Sequence, residues 1–249
     1  MLRATERIRV GIGAVPCDRR PARDVAREVA AADLPLDRLV LVVGSGASSS
    51  LAAVRAAVAE LRAGLGPIIA LGVAAMGERM CRLGGEIADL VLLNWMSPER
   101  IRWARRQVRK GAEHRQDGLR HPEPEVASYI RVAIGQRAAR CMEGEAARYA
   151  AMPQYARNFK AMGLASVGIV APDPGQAPGL LQPYLEVLDE AVVRPIVKLP
   201  PSRSPDFEEI FETLSVLMEV ASLLAPPPAS AQPVSPDAET PAPASPPEV

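Results

Sequence analysis

The sequence predicts an α/β fold in which short strands alternate with helices, as in a parallel sheet or a (β/α) barrel. Short β-branched runs recur along the chain, and the run at 39–43 is apolar up to Gly44, which is typical of a strand covered on both faces. The segments between the runs carry apolar residues at the spacing of amphipathic helices. Ser97, Pro98 and Glu99 have the chemistry of a helix start: a capping hydroxyl, a first-turn proline and an acidic group at the positive end.

The first half of the chain contains four predicted strands joined by helices. The strands are predicted at residues 8–13, 39–43, 67–73 and 89–95. The helices are predicted at residues 22–32, 51–63 and 78–87. The first helix shows the spacing clearly, because Ala22, Val25 and Val29 fall on one face.

The second half continues the alternation with less regularity. Strands are predicted at residues 125–134 and 192–199, with 167–170 as a candidate short strand. Helices are predicted at residues 97–110 and 137–150, and a last one begins at Ser204. This last helix would bury Phe207, Ile210, Phe211, Leu214 and Met218. About six strands fall short of the eight that complete such a barrel, so an incomplete barrel is expected.

The chain is predicted to form one domain with a tail. From Pro226 the composition changes to Pro, Ala, Ser and acidic residues, which cannot bury enough apolar surface to offset their chain entropy. We therefore expect a domain at residues 1–224 and a disordered tail at 225–249.

Charge and cysteine content exclude several classes of protein. The 29 basic and 29 acidic residues give no net charge, so nucleic acid is not an expected partner. The three cysteines are odd in number and far apart, which fits reduced thiols in a cytoplasmic protein.

The sequence shows no sign of a membrane protein, because neither a signal peptide nor a membrane-spanning run is recognised, so no membrane association is expected. His114 and His121 fall in a polar segment and are not expected to be catalytic, and no metal site is recognised.

Two predicted strands lead into glycine-containing loops before a helix, which is where backbone N–H groups can bind an anion. Gly44, Ser45 and Gly46 form the first loop. Ala74, Met76 and Gly77 belong to the second, with Arg79 available to pair with a phosphate. A Gly-Ser-Gly loop can equally serve as a tight turn, so this reading competes with a purely structural one. Asn94 ends a strand at the same edge.

The stretch ALGVAAMGERMCRLGGEIADLVLLNW at 70–95 resembles the fifth strand, the following helix and the sixth strand of luciferase-like monooxygenases. The segments 125–133 and 148–155 are similar to the deazaflavin-dependent members of that family, and 7–15 and 37–46 look like its third and fourth strands. The resemblance covers roughly residues 8–224 and implies a TIM-type barrel of about the usual one-domain size.

The resemblance implies a deazaflavin coenzyme, or less favourably FMN, and hydride transfer to or from a small organic substrate or oxygen activation. It places Gly13, Ala14 and Val15 near the cofactor ring. It identifies no catalytic acid or base in this chain. A conventional acid/base pair is dispensable where the cofactor performs the chemistry.

The sequence also departs from the family. It starts at the third strand, lacks the insertion between the fourth and fifth strands, and has Val42 and Leu90 where glycine is usual, which would tighten the cofactor space. Three interpretations remain open: an active enzyme, a non-catalytic subunit that depends on a partner, or a natural chain that begins upstream of Met1. Because an open sheet edge favours pairing, we expect a homodimer or association with a related chain.

Overall fold

The computed structural model describes residues 2–115, 119, 121–196, 215 and 218. Its strands are β1 (Val10–Pro16), β2 (Leu39–Gly44), β3 (Ala70–Ala74), β4 (Leu90–Asn94), β5 (Glu125–Ile134), β6 (Ile169–Ala171) and β7 (Glu190–Pro195). Its α-helices are α1 (Ala22–Ala31), α2 (Leu51–Leu65), α3 (Glu78–Ile87), α4 (Pro98–Ala112), α5 (Gly135–Ala150), α6 (Pro153–Met162) and α7 (Ala177–Leu185).

The seven strands of the described residues form one curled, parallel sheet, which confirms the predicted α/β class. The first five strands follow chain order, and β5 then pairs with β7 along 127–132 and with β6 at its last three residues. Helices return the chain between the first five strands, so the carboxyl ends of all the strands meet at one edge. We call this edge the mouth; ligands of (β/α) barrels bind at the equivalent edge.

The concave face of this half-barrel is filled with apolar side chains below the mouth. The buried residues of this inner cluster are Val40, Val42, Ala70, Leu90, Leu92 and Ala127. A Cβ atom at Gly72 would lie 2.9 Å from Val42 Cγ2 and 3.2 Å from Leu90 Cδ2, so these two side chains occupy the space that glycine leaves. Val42 and Leu90 therefore narrow the interior, as the sequence predicted.

Helices cover the convex face with two larger apolar clusters. Alternate residues of β2, including Leu41 and Val43, pack with α1 and α2, while Val91 and Leu93 of β4 pack with α4. Asp89 begins the turn into β4, where its Oδ2 accepts hydrogen bonds from Leu71 N at 2.9 Å and from Arg62 at 2.8 Å. Asp89 thus anchors the start of β4 to β3 and α2.

Several predicted boundaries need correction. The strand predicted at 67–73 begins only at Ala70, because Gly66 has a φ of +79° and residues 67–69 turn the chain after α2. The helices α6 and α7 were not predicted. The last predicted helix and the tail fall largely outside the described residues. Of the five residues predicted to be buried by that helix, Met218 is described, and it is 73% exposed.

Within the described part of the chain, no helix has the length and apolar content required to cross a bilayer.

Candidate active site at the mouth of the half-barrel

Gly13, Ala14 and Val15, which the sequence placed after the first strand, lie within β1, and its second half borders the inner cluster. The Gly13–Ala14 peptide bond is cis, and the pairing of β1 with β2 shifts register between Gly13 and Val15. A Cβ at Gly13 would lie 3.0 Å from Leu92 Cδ2, while the carbonyl of Gly13 accepts a 3.4 Å hydrogen bond from the Tyr129 hydroxyl. Ala14 is exposed at the mouth and Val15 is half-buried.

The loop after β2 already binds an anionic group of the chain itself. Gly46 has a φ of +62°, and a Cβ there would overlap the carboxylate of Asp18. Asp18 Oδ2 accepts a 2.8 Å hydrogen bond from Ala47 N. The next helix, α2, is capped by Ser50, whose Oγ accepts from Ala53 N at 3.1 Å. Gly44, the last residue of β2, and the loop residues Ser45 and Gly46 thus border the mouth. The Asp18 carboxylate already occupies the position where this loop could bind an anion.

The loop after β3 differs because the amino end of α3 lacks a side-chain cap. Gly77 is the N-cap residue, and among the described residues no atom other than those of its chain neighbours lies within 4 Å of where its Cβ would be. Among the described residues, no side chain therefore caps the amides of the first helical turn at the positive end of the helix dipole. Arg79 is exposed and, among the described residues, makes no ion pair. Ala74 and Met76 are partly buried beside it.

A groove of about 580 Å³ runs between α2 and α3 on the convex side of the sheet. Its floor is formed by Leu51, Ala52, Ala56, Ala59 and Leu83. Arg79 borders one part of it, and the Arg55–Glu86 ion pair another. The groove is lined only by helix residues, so it is separate from the side chains of the concave face.

Asn94, at the end of β4, is held from both sides. Its Oδ1 accepts a 2.8 Å hydrogen bond from Arg131 Nη1, and its Nδ2 donates to the Tyr155 hydroxyl at 3.3 Å. Burial raises the pKa of Tyr155, so this phenol stays protonated near neutral pH. Within the described chain Tyr155 only accepts in this network, which leaves its O–H proton for another acceptor.

Arg131 is the centre of a group of charged side chains that we call the arginine cluster: Arg131, Glu145 and Arg194. The side chain of Arg131 is 3% exposed, and its Nε donates to Glu145 Oε1 at 3.0 Å. Arg194, paired with Arg131 in the register of β5 and β7, bonds to the same carboxylate oxygen. Burial alone would raise the pKa of Glu145, but hydrogen bonds from Arg194 and Arg131 outweigh it and hold that pKa below its ordinary value.

Trp95 packs beneath this cluster. Its ring centre lies 3.5 Å from the Arg131 guanidinium carbon, and the ring also contacts Tyr149 and Phe159. Trp95 has a φ of +53°, an uncommon conformation for a large residue, and its carbonyl accepts a 2.8 Å hydrogen bond from Asn158 Nδ2. Its indole Nε1 is buried and has no hydrogen-bond partner within the described chain.

The structure therefore brings Asn94 together with residues that the sequence did not nominate: Tyr129, Arg131, Glu145, Tyr155 and Arg194. One signal could have found the cluster. Arg131 interrupts an apolar strand, and Glu145 continues the apolar stripe of α5 formed by Ala138 and Met142. A charge at a buried position requires a partner of opposite charge.

The remaining candidates from the sequence are distant from this chemistry. His114 and His121 are exposed in the polar segment after α4, as predicted. In the described ranges, no three His, Cys, Asp or Glu side chains are grouped as metal ligands, and the three cysteines are free thiols.

Comparisons with known proteins agree with this architecture. A family model described as luciferase-like monooxygenase matches residues 55–194, more than half of the chain. No curated protein matches the sequence.

Among solved structures, the chain is similar to an F420-dependent secondary alcohol dehydrogenase in complex with an F420-acetone adduct, with a TM-score of 0.63, 13% identity, and coverage of 88% of this chain and 81% of that chain. It is similar to the coenzyme F420 dependent tetrahydromethanopterin reductase from Methanopyrus kandleri, with a TM-score of 0.58, 16% identity, and coverage of 90% and 85%. It is also similar to EDTA monooxygenase (EmoA) from Chelativorans sp. BNC1, with a TM-score of 0.58, 12% identity, and coverage of 89% and 75%. At these identities the likeness shows a shared fold.

Proposed function

Since the chain belongs to the luciferase-like monooxygenase family, we propose that it is an oxidoreductase that uses a deazaflavin coenzyme, in preference to FMN, to move a hydride to or from a small organic substrate. The observation that carries the proposal is the amino end of α3, which lies at the mouth beside Arg79; in the described ranges, this helix end has no side-chain cap and Arg79 makes no ion pair.

This helix end fits the phosphate that both cofactors carry. Free amides at the positive end of a helix bind anions, and Arg79 can add a charge-assisted hydrogen bond. The loop after β2 fits less well, because the Ala47 amide is bonded to Asp18, whose carboxylate would repel a phosphate. We therefore assign the phosphate to Gly77 and Arg79, with Ala74 and Met76 beside it.

The ring of the cofactor would lie above the inner cluster. Gly13, Ala14 and Val15 border this space on one side and Asn94 on the other, while Val42 and Leu92 fill the interior below. Gly44, Ser45 and Gly46 would form the wall between the ring and the phosphate. When bound, the cofactor supplies the hydride chemistry, and the protein binds and orients the reactants.

The side chains of the mouth would orient the substrate and exclude water from it. The Arg131 and Tyr155 contacts fix the Asn94 amide in one orientation, so the mouth is preorganised before a ligand enters. Tyr155 holds a proton on its hydroxyl oxygen that it can donate in a hydrogen bond to a substrate oxygen.

One resemblance in the sequence favours the deazaflavin coenzyme over FMN. The segments 125–133 and 148–155, which resemble deazaflavin-dependent members, contribute Arg131 and Tyr155 to the mouth. The similar solved structures include F420-dependent enzymes and a monooxygenase, so they are compatible with either cofactor.

A fluorescence titration of the full chain against the deazaflavin coenzyme, FMN and FAD tests this proposal. We expect the deazaflavin coenzyme to bind with micromolar or tighter affinity, about −8 kcal/mol or better, and FMN to bind more weakly. Arg79→Gln should weaken binding by about tenfold or more, since it removes a charge-assisted phosphate contact.

Arg106→Gln is the matched control, because Arg106 is equally charged and exposed on α4 and lies away from the mouth. Its affinity for the cofactor should equal that of the wild type. If the folded chain binds none of the three cofactors, the proposal is wrong and the interpretation as a partner-dependent subunit replaces it.

The expected homodimer or association with a related chain and the expected cytoplasmic location stay predictions.

A further inference from the structure

We infer that the arginine cluster binds a carboxylate group of the organic substrate, with Arg194 as the accessible ligand and Arg131 as the buried one. This inference rests on the proposed function, because it assigns the chemical class of the substrate at the same mouth. The alternative explanation is a structural Arg–Glu–Arg triad, and three observations favour a binding site.

The first observation is the charge of the cluster. Two guanidinium groups share one carboxylate oxygen, so the group carries one positive charge more than its internal pairing neutralises. In the described chain, Arg131 and Arg194 form no ion pair other than those to Glu145. A second carboxylate would neutralise this excess charge. A triad that serves only stability would leave the excess positive charge uncompensated beside the buried Trp95 ring.

The second observation is geometric. Arg131 and Arg194 are paired across β5 and β7, and the alternation of side chains places both on the same face as Tyr129 and Asn94. The side chain of Arg194 is 44% exposed, so its guanidinium reaches solvent from the mouth. A guanidinium offers five N–H donors, and the described contacts of Arg194 use one of its nitrogens.

The third observation is the unsatisfied donor beneath Arg131. Trp95 is 1% exposed, and its Nε1 is buried without a hydrogen-bond partner in the described residues. Buried polar atoms normally have partners, so an orphan donor beside an excess positive charge indicates a missing acceptor. A carboxylate has two acceptor oxygens and no donor, which matches a site made of N–H donors.

Trp95 itself provides the probe for the test. The chain contains two tryptophans, and a Trp103→Phe background leaves Trp95 as the single indole reporter. We would titrate this full-length variant with acetate and benzoate, with the neutral acetamide and benzamide, and with inorganic phosphate, in the absence of cofactor. We expect a saturable change in Trp95 fluorescence with a carboxylate, at least tenfold weaker binding of the matching amide, and no tighter binding of phosphate.

Variants then identify the ligand residue. Arg194→Met keeps most of the side-chain stem and should weaken carboxylate binding about tenfold or more, since it removes a charge-assisted pair. Arg194→Lys keeps the charge without the planar guanidinium, so its carboxylate affinity should lie between those of the parent and Arg194→Met. Arg140→Met is the matched control: it removes one positive charge from an exposed position on α5 and should bind as the parent does. Circular dichroism and thermal melting establish that each variant is folded.

The outcomes separate this inference from the proposed function. Equal binding of acid and amide, or an unchanged affinity in folded Arg194→Met, would overturn the carboxylate site even if a cofactor binds. Tighter binding of phosphate would assign the cluster to a phosphate instead and overturn the inference as well. Carboxylate binding by a chain that binds no cofactor would retain the site and reject the proposed oxidoreductase.

Discussion

The guanidinium carbon of Arg131 lies 3.5 Å from the centre of the Trp95 ring, and this stacked pair ties the end of β4 to the middle of β5. The same guanidinium bonds to Asn94 and Glu145. A single buried cation thus orients the polar groups at the mouth, and the Glu145 carboxylate of α5 compensates its charge.

Glu145→Gln should destabilise the fold by about 3 kcal/mol, because it leaves the buried Arg131 without its counter-charge. Equilibrium denaturant unfolding measures the change. Glu143→Gln, an exposed neighbour on α5, is the control and should shift the free energy of unfolding by no more than about 0.5 kcal/mol. Equal effects of the two substitutions would mean that the Arg131 charge is compensated by solvent.

The Glu145 contribution should disappear in acid. The pKa of Glu145 is lower in the folded chain than its ordinary value of 4.5, since hydrogen bonds from Arg194 and Arg131 outweigh the opposing effect of burial. The unfolded chain therefore takes up the proton first, and the stabilisation present above pH 4.5 is lost as the pH falls through the folded value. The difference in unfolding free energy between wild type and Glu145→Gln should shrink below pH 4.5; a difference that grows there would contradict the assignment.

Gly77→Asp should separate stability from binding. The new carboxylate can cap the free amides of α3 and interact with the helix dipole, which should raise stability by about 0.5 kcal/mol. The same carboxylate occupies the proposed phosphate position, so cofactor affinity should fall by tenfold or more, on the order of 1.4 kcal/mol. Thermal melting and cofactor titration are measured on the same preparation.

Gly77→Ala provides the control for that experiment. The φ of Gly77 is −99° and its Cβ would meet open space, so alanine fits without adding a charge or a cap. We expect its affinity to remain within about threefold of wild type, a difference of under 1 kcal/mol. If Gly77→Asp binds the cofactor as well as Gly77→Ala does, the phosphate does not lie at this helix end.

Gly46→Ala should be more destabilising than an ordinary glycine substitution at positive φ. The left-handed conformation alone costs about 1 kcal/mol, which Gly163→Ala, with open space around it and a φ of +67°, should show by itself. At Gly46 the added methyl would also displace the Asp18 carboxylate from Ala47 N, with a further cost of about 1.5 kcal/mol.

A double-mutant cycle checks this explanation. With Asp18→Ala already present, Gly46→Ala should cost only the backbone conformation, so the two substitutions should couple by more than about 0.5 kcal/mol. Additive effects in denaturant unfolding would show that Asp18 does not occupy the loop in solution.

Local patterns in the sequence predicted much of the fold. The runs that form β2 and β5 are apolar and long enough to be recognised, and the start of α4 at Ser97 and Pro98 is confirmed by the hydrogen bond from Arg100 N to Ser97 Oγ. The helix α7 was missed because its sequence contains a glycine and two prolines, one of them Pro183 inside the helix, and helix propensity disfavours both residue types. Packing of Leu181 and Tyr184 in the convex cluster stabilises α7 instead.

The candidate site was only partly predictable for a different reason. Glycine loops after apolar strands identify the mouth from local sequence, and Asn94 could be placed there by its position at a strand end. The arginine cluster depends on contacts between distant residues, since 37 positions separate Asn94 from Arg131 and 49 separate Glu145 from Arg194. No short motif records such a contact. The occupation of the β2 loop by Asp18 was hidden in the same way, across 29 positions.

Amide hydrogen exchange with and without a saturating deazaflavin coenzyme tests the central claim most directly, because it locates the phosphate without mutation. We predict slower exchange at the amino end of α3, from Gly77 to Met80, and little change in the loop from Gly44 to Ser50, where Asp18 already accepts from Ala47. Protection of the second region without the first, or of neither, would contradict the account.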